Sequence, residues 1–450
     1  MAHHVLMVCS PAQGHINPAL ELAKRLVKKD LRVTFATTAH GLSRIHQAID
    51  IVSFASYSDG FDQGFDNSIA FADYVSQFKR LGSETLAALI RNLASQGCPV
   101  TFIIYNSVVP WSADVADELG IPSALHWIQS ATVFVIYWNH FRGSKSSSYL
   151  ISTTNVRVTG MPLLNIEDLP SFLQPSNTNN IAVESLVELF EMLDSRRIDW
   201  VIASTFDALE KDLISAMEKE NMTLLSIGPL VPSAFIDGKN PEDTTFGGDM
   251  WEKSKDYMEW LGSKPVGSVV YVSFGSLRVL SPMQARNIAR ALSESRHSYL
   301  WVVGSSEKAL QNIEIEDSER GLVVGWCNQV ELLAHPSIGC FVMHGGWNST
   351  IESLVAGVPM VVLPEWSDQT TNAWLVERVW KCGVRAKVRE DGVLEEAELK
   401  RCIELVMGGG EEGAEMKKKA RELSWLAKDA WKEGGSSEIN LDRLLEKIVA

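Results

Sequence analysis

Short apolar runs alternate with amphipathic stretches along most of this chain. In the first half, His4–Cys9, Arg32–Thr37, Val100–Tyr105, Ser123–Trp127, Trp200–Ala203 and Thr223–Ile227 read as strands. Brief runs rich in β-branched and aromatic residues, bounded by turn residues, suit strands buried on both faces. Between them the apolar positions recur at helical spacing. Ala19, Leu22, Ala23 and Leu26 form one stripe up to about Lys29, and Ser83–Ser95, Pro110–Leu119, Val183–Leu193 and Ala208–Glu220 follow the same rule. Strand, helix and strand in repetition predict a parallel sheet with helices on both faces. The periodicity lapses in a Gly-, Pro-, Asp- and Thr-rich segment between Pro232 and Asp249, which reads as a linker. It restarts with strands at Ser268–Ser273, Tyr299–Val303, Leu322–Val324, Ile338–Met343 and Met360–Leu363, and helices at Pro282–Ser293, Asn348–Ala356 and Asn372–Arg378. The expected fold class is α/β with two Rossmann-like, doubly wound domains, 1–231 and 250–434, joined by 232–249. Charged helices over Glu395–Met407, Glu415–Glu433 and Ile439–Val449 close the chain.

At 450 residues the chain exceeds what one hydrophobic core usually organises, in keeping with two large domains. Hydrophobic residues at 46% and charged residues at 22% are ordinary globular usage, which excludes disorder and collagen. With 41 basic against 56 acidic side chains the net charge is −15, a surface that repels a polyanion and argues against nucleic acid as a partner. A small phosphorylated ligand is still allowed, because helix N-termini hold phosphate without a net positive field. Cysteines 9, 98, 327, 340, 382 and 402 contain no Cys-x-x-Cys pair, so reduced thiols are expected rather than disulfides or a zinc site. Val5–Cys9 is too short for a secretory segment, and Ala124–Trp138 too short to span a bilayer. The expectation is a cytoplasmic protein with no stable membrane insertion.

No Walker loop occurs, and no Gly-x-Gly-x-x-Gly follows a first strand in either half, so ATP and nicotinamide folds lose their main sequence support. Two facing doubly wound sheets place a ligand in the cleft between their carboxyl ends. There, Trp326-Cys327-Asn328-Gln329 leads into a helix. After a further strand comes His344-Gly345-Gly346-Trp347-Asn348-Ser349-Thr350-x-Glu352. Asn348 or Ser349 can cap the helix that starts here, and its free N–H groups and positive dipole end favour a phosphate. Glu352 can accept from a ribose diol. Asp368-Gln369, after Met360–Leu363, sets an acceptor beside a donor, which suits adjacent sugar hydroxyls. Singly, Gly345-Gly346 also fits a tight turn and Trp326 a core aromatic; the combination is the specific feature.

The 44 residues from Trp326 to Gln369 resemble the signature box of plant family 1 UDP-sugar-dependent glycosyltransferases of secondary metabolism, which have the two-domain GT-B fold. The resemblance extends to Pro-Ala-Gln-Gly-His-Ile-Asn-Pro near the start, to Ile227-Gly228-Pro229-Leu230 and to Ser268–Leu277. Within the family the chain is most similar to the group with anthocyanin 5-O-glucosyltransferases and glucose-ester-forming enzymes. The resemblance implies that Trp326 stacks on uracil, the main chain of Cys327 bonds its edge, and Gln329 and Glu352 hold the ribose. His344, Asn348, Ser349 and Ser276 would bind the diphosphate, while Trp347, Asp368 and Gln369 read the hexose. Gln369 at the last box position implies glucose, so UDP-glucose is the expected co-substrate, with no cofactor and no metal. His15, on the loop after the first strand, would be the general base that deprotonates an acceptor hydroxyl for inverting attack. The last helix, about 435–450, would pack back on the first domain with Trp425 and Trp431 as anchors, and the protein would be a monomer.

Two departures from the family pattern stand out. Gly345 replaces the usual Cys of the box, at an expected cost in backbone entropy. Asn106, at the end of the strand before Pro110–Leu119, replaces the usual Asp that orients the catalytic His. Asn can accept from a His N–H or present its donor side instead, with Asp114 and Asp117 as possible substitutes for the charge. Two other readings follow: a UDP-sugar-binding protein with weak or lost turnover, and a sugar-nucleotide epimerase of related architecture. The aromatic-bearing region Trp111–Phe141 argues instead for a pocket for a small aromatic or terpenoid acceptor.

Overall fold

Two fully parallel sheets carry the fold in a computed structural model that describes residues 3–450 apart from 46–48, 66–68, 143–148, 152–154, 159, 196–197, 199, 221, 252, 277–279 and 305–318. Leu277, the last residue of the Ser268–Leu277 motif, lies outside the described residues. The first half contains β1 (His4–Val8), β2 (Arg32–Thr38), β3 (Ser53–Tyr57), β4 (Phe102–Asn106) and β5 (Ser123–Trp127). A small antiparallel ribbon follows, β6 (Tyr149–Ile151), β7 (Asn155–Val158) and β8 (Leu164–Asn165), and then β9 (Trp200–Ala203) and β10 (Thr223–Ser226). The first sheet has the order β10-β9-β5-β4-β1-β2-β3. The second half supplies β11 (Val269–Ser273), β12 (Ser298–Val302), β13 (Gly321–Val324), β14 (Ile338–Met343), β15 (Met360–Val362) and β16 (Gly383–Arg385), in the order β13-β12-β11-β14-β15-β16. The α/β, GT-B-like expectation therefore holds.

The interior strands follow from composition. β1, β4, β11 and β14 are buried along their whole length, as parallel strands covered by helices on both faces must be. The elements missed in the pattern are those where burial is partial. β3, at the sheet edge, reads Ser-Phe-Ala-Ser-Tyr and buries only Tyr57 fully. The helix expected at Ser83–Ser95 spans Phe71–Ser95; Gly82 interrupts its sequence pattern because a Cβ there would lie 2.8 Å from the Trp111 ring.

The aromatics of Trp111–Phe141 do not form an open pocket. Trp111, Trp127, Phe134, Tyr137 and Trp138 are all buried, and Trp127 packs edge-on against Phe134, Tyr137 and Phe190. Their apolar area is used in the core of the first half, which is why the stretch reads as so hydrophobic.

The segment 232–249 lies against the first helix, Gln13–Val27. The buried Lys24 ammonium bonds Asp243 at 2.6 Å and the Thr245 carbonyl at 3.0 Å, and Gln13 bonds the Gly248 carbonyl at 3.0 Å and the Met250 N–H at 2.9 Å. The terminal helix Ser436–Val449 returns to the first sheet, where Leu441, Leu444 and Ile448 join the core formed by β1, β2 and the first helix. Arg25, buried in that core, donates to the Ile227 and Ser437 carbonyls and to Glu438, and its guanidinium lies over the Trp431 ring. Trp425, by contrast, is 64% exposed and anchors nothing.

Removing a buried charged group strands its partners. Arg25→Ala is therefore expected to destabilise the protein by roughly 3–5 kcal/mol and to free the terminal helix first. Urea denaturation with limited proteolysis after residue 431 checks this; an unchanged midpoint would show that the helix docks without Arg25.

Candidate functional site

Both sheets reverse their strand order at one place. The chain builds outward from β1 to β3 and then crosses to β4 on the other side of β1; in the second sheet it does the same from β11 to β13 and then to β14. At such a switch point the loops diverge and leave a crevice beyond the carboxyl ends. His15 follows β1 and Asn106 ends β4; Ser276 follows β11 and His344 follows β14. A cleft of about 280 Å³ opens between the two halves. It is lined by His15, Ser276, Trp326, Cys327, Gln329, His344, Trp347, Asn348, Ser349, Glu352, Asp368 and Gln369. Asn106, the remaining sequence candidate, is buried behind His15.

Bonds among the second-half residues set what each can offer. Tyr271 donates to Gln329 Oε1 at 2.8 Å, and Gln329 Nε2 donates to Glu352 at 2.6 Å and to Ser349 Oγ at 2.9 Å. The Gln329 amide is thus engaged at both ends and orients Glu352. Tyr271 lies within the Ser268–Leu277 motif but is given no role there, and is the member of this set that sequence reasoning missed. The Trp347 indole N–H donates to the Ser204 carbonyl at 2.7 Å. Its side chain therefore ties the halves together, and only its main-chain N–H, in the first turn of helix Trp347–Ala356, can serve a ligand. Asn348 Nδ2 donates to the Gly14 carbonyl at 2.6 Å, directly beside His15. Gln369 Oε1 accepts from the Glu365 and Trp366 N–H groups at 3.0 and 3.2 Å, which leaves its Nε2 as the donor for a hydroxyl. Asn372 Nδ2 donates to Asp368 at 2.7 Å and to the Gly345 carbonyl at 2.9 Å. Gly345 has φ +86°, a conformation that favours glycine. Glycine therefore takes this backbone without strain, which offsets the entropic cost expected from sequence.

The loop that carries Asp368 and Gln369 is held from the first half. Ser171 N–H bonds the Ser367 carbonyl at 2.8 Å, Ser367 N–H bonds Ser171 Oγ at 2.7 Å, and Arg385 bonds Asp168 at 2.9 Å. Thr370 and Thr371 donate to the Leu169 and Asp168 carbonyls.

On the opposite wall, His15 Nδ1 lies 2.6 Å from Ser10 Oγ and 3.2 Å from Asn106 Nδ2. The Asn106 oxygen accepts from the Val108 N–H at 3.3 Å, so the amide presents its donor side to His15. A flipped amide would set N–H against N–H. Asp114, half-buried, and Asp117, exposed, do not line the cleft, and among the described residues no carboxylate sits against the His15 ring. Ser10 is the neighbour that sequence reasoning missed. Its signal is its place two residues after β1 and five before His15. Burial pulls the His15 imidazole down to about 4, so at neutral pH it is uncharged and holds a lone pair for a proton.

Residues 178–432 match the family model described as UDP-glucoronosyl and UDP-glucosyl transferase. A crocetin glucosyltransferase, chloroplastic, of Gardenia jasminoides is 46% identical, over 98% of this chain and 97% of that protein. An anthocyanidin 3-O-glucoside 5-O-glucosyltransferase of Verbena hybrida is 43% identical, over 99% of each. The crystal structure of Os79 from O. sativa in complex with UDP superposes with a TM-score of 0.89 at 31% identity, over 99% of this chain and all of that one. The chain belongs to the plant family 1 UDP-sugar glycosyltransferases. It is a glycosyltransferase of the GT-B fold whose co-substrate is a UDP-sugar. Among the described residues no helix is long and apolar enough to cross a membrane.

For a UDP-sugar ligand the two buried carboxyls matter most. Burial raises Glu352 to about 7 and Asp368 to about 6, each opposed by an amide donor. Hydroxyl groups donate best to ionised carboxylates. The free site therefore loses acceptors as pH falls through these values, and ligand binding drives ionisation. UDP-sugar affinity measured by calorimetry is expected to fall on the order of tenfold from about pH 8 to about pH 5.5, and Glu352→Gln to flatten most of that slope. A pH-independent affinity in the unaltered protein would show that neither carboxylate meets the ligand.

Proposed function

We propose that the protein is an inverting glucosyltransferase that moves glucose from UDP-glucose to a hydroxyl or carboxyl group of a small plant metabolite, such as a flavonoid, phenolic acid, hormone or terpenoid. The observation that carries this reading is the single cleft that sets His15 on one wall and the His344 to Gln369 box on the other. Trp326 offers a face for uracil, and Glu352, oriented by Gln329, offers an acceptor for the ribose diol. The N-terminus of helix Trp347–Ala356, with Ser349, Asn348 and His344 and with Ser276 from across the sheet, offers donors for the diphosphate. Asp368 and Gln369 Nε2 supply an acceptor and a donor for adjacent hexose hydroxyls. The glucosyltransferase names of the relatives support glucose as the sugar. His15 takes the acceptor proton as the oxygen attacks the anomeric carbon from the face opposite the departing UDP, so the configuration inverts in one step.

The protein is read as a cytoplasmic monomer. All six cysteines are free, and five of them are buried, which suits a reducing compartment.

His15→Ala is expected to lower transfer to a phenolic acceptor by about 10²–10⁴ while UDP affinity stays within about twofold, and the wild-type product should be the β-anomer by proton NMR. Turnover near wild type in this variant would remove His15 from the reaction. Bound UDP without any product in the unaltered protein would instead favour the reading of a binding protein. Asp368→Ala should weaken UDP-glucose by roughly 1.5–3 kcal/mol with UDP little affected, because only the hexose reaches that carboxylate. Equal losses for the two ligands in isothermal titration would place the hexose elsewhere.

A further inference from the structure

Two neighbours compete for one nitrogen of His15. Asn106 Nδ2 can only donate, so on its own it favours an unprotonated Nδ1 and puts the ring proton on Nε2, the nitrogen left for the cleft. That tautomer cannot act as a base. The Ser10 hydroxyl is nearer, 2.6 Å against 3.2 Å, and its oxygen can accept from Nδ1–H. Ser10 Oγ also lies 3.4 Å from Asn106 Nδ2, which donates to it and to Cys9 Sγ at 3.3 Å. The hydroxyl is 5% exposed with its residue and so is held against the ring instead of turning to solvent.

We propose that Ser10 is the positioning residue for His15, its hydroxyl oxygen accepting the Nδ1–H bond and so leaving the Nε2 lone pair for the acceptor. This rests on the reading of His15 as the base. In the reaction the acceptor oxygen forms its bond to the anomeric carbon while the bond from that carbon to the UDP oxygen breaks, and the electron pair leaves with UDP. The acceptor proton moves to Nε2. The imidazolium then carries two N–H groups, and Ser10 Oγ is the acceptor for the inner one. Asn106, aiming an N–H at the same atom, opposes the charge. His126 on β5 interacts electrostatically with His15, Cys9 touches the same Asn106 amide, and Asp249, Glu352, Glu365 and Asp368 are the carboxyl groups that line the same cleft. Burial holds the Cys9 thiol protonated and His126 neutral; neither supplies a counter-charge.

The test compares six variants, His15→Ala among them, in steady-state transfer from UDP-glucose to a simple phenol across pH 5 to 9. Ser10→Ala is expected to lower kcat by about 10², with KM for UDP-glucose unchanged. The acid limb of kcat/KM should shift to lower pH, because losing an acceptor weakens the protonated form. Ser10→Cys, which fills the same space with a poorer acceptor, should fall likewise, and Ser10→Thr should stay within a few fold of wild type. Asn106→Ala should cost less than Ser10→Ala. Asn106→Asp in the Ser10→Ala background should recover part of the rate and move the acid limb upward, since a carboxylate accepts the N–H directly. Wild-type kcat in both Ser10→Ala and Ser10→Cys, or a larger loss in Asn106→Ala than in either, overturns the proposal. If His15→Ala is inactive in the same assay, such a result removes Ser10 alone; if His15→Ala is active, the base itself is misassigned.

Discussion

The structure depends on a parallel sheet being apolar on both faces. Once helices cover β1, β4, β11 and β14, no polar ligand can meet the strands themselves, and hydrogen-bonding capacity is left only in the loops beyond their ends. All strands of a parallel sheet end on the same side, so these loops collect along one edge. The shared strand order opens a crevice at β1/β4 in one half and at β11/β14 in the other. Everything chemical in this protein is placed by those two crevices and by the contacts that make them face each other. The contacts are specific: the Trp347 indole on the Ser204 carbonyl, Asn348 on the Gly14 carbonyl, and the paired Ser171 and Ser367. All three join box residues to the first half, so the stretch read as the donor site also fixes its own distance from His15.

The electrostatics of the cleft run against the charge of the molecule. A chain with a net charge of −15 has, among the described residues, no lysine or arginine in the lining of the cleft that would take a nucleotide diphosphate. Helix N–H groups and neutral donors replace a positive field. Of the acidic groups in the lining, Glu352 and Asp368 are raised by burial toward neutrality, which lessens their repulsion of a diphosphate while the site is empty. His15 is held neutral from the other direction. The network behind it is neutral too, with Ser10 and Asn106 in place of a carboxylate. On the proposed reading of His15 as the base, the imidazolium formed during transfer would meet an uncharged acceptor, so acceptors that surrender a proton easily should suit this enzyme best.

The segment 232–249 and the terminal helix show how the halves are kept in register outside the cleft. Lys24 and Gln13 hold the connecting chain on the first helix, and Arg25 holds the helix that returns from the second half. All three residues lie on the helix that also bears His15. His15 is therefore mounted on the element to which both chain crossings are fastened.

By itself the sequence determined the two doubly wound halves, the family and the box residues that line one wall of the cleft. Those features are local: strand hydrophobicity follows from two-sided burial, and the box from Trp326 to Gln369 is one continuous run whose spacing reflects one strand–turn–helix after another. Tertiary structure decided what depends on distant chain segments. β3 is held by an edge position and not by its own apolar pattern, and the aromatics after Trp111 turned inward to the core because helix Phe71–Ser95 and Phe190 cover them. Tyr271 reaches Gln329 only because β11 lies at the centre of its sheet. Which side of the Asn106 amide faces His15 was settled by the Val108 N–H, and the approach of Ser10 by the turn after β1. Hydrogen-bond direction depends on where every neighbouring donor and acceptor ends up, and a linear pattern of residue types does not carry that information.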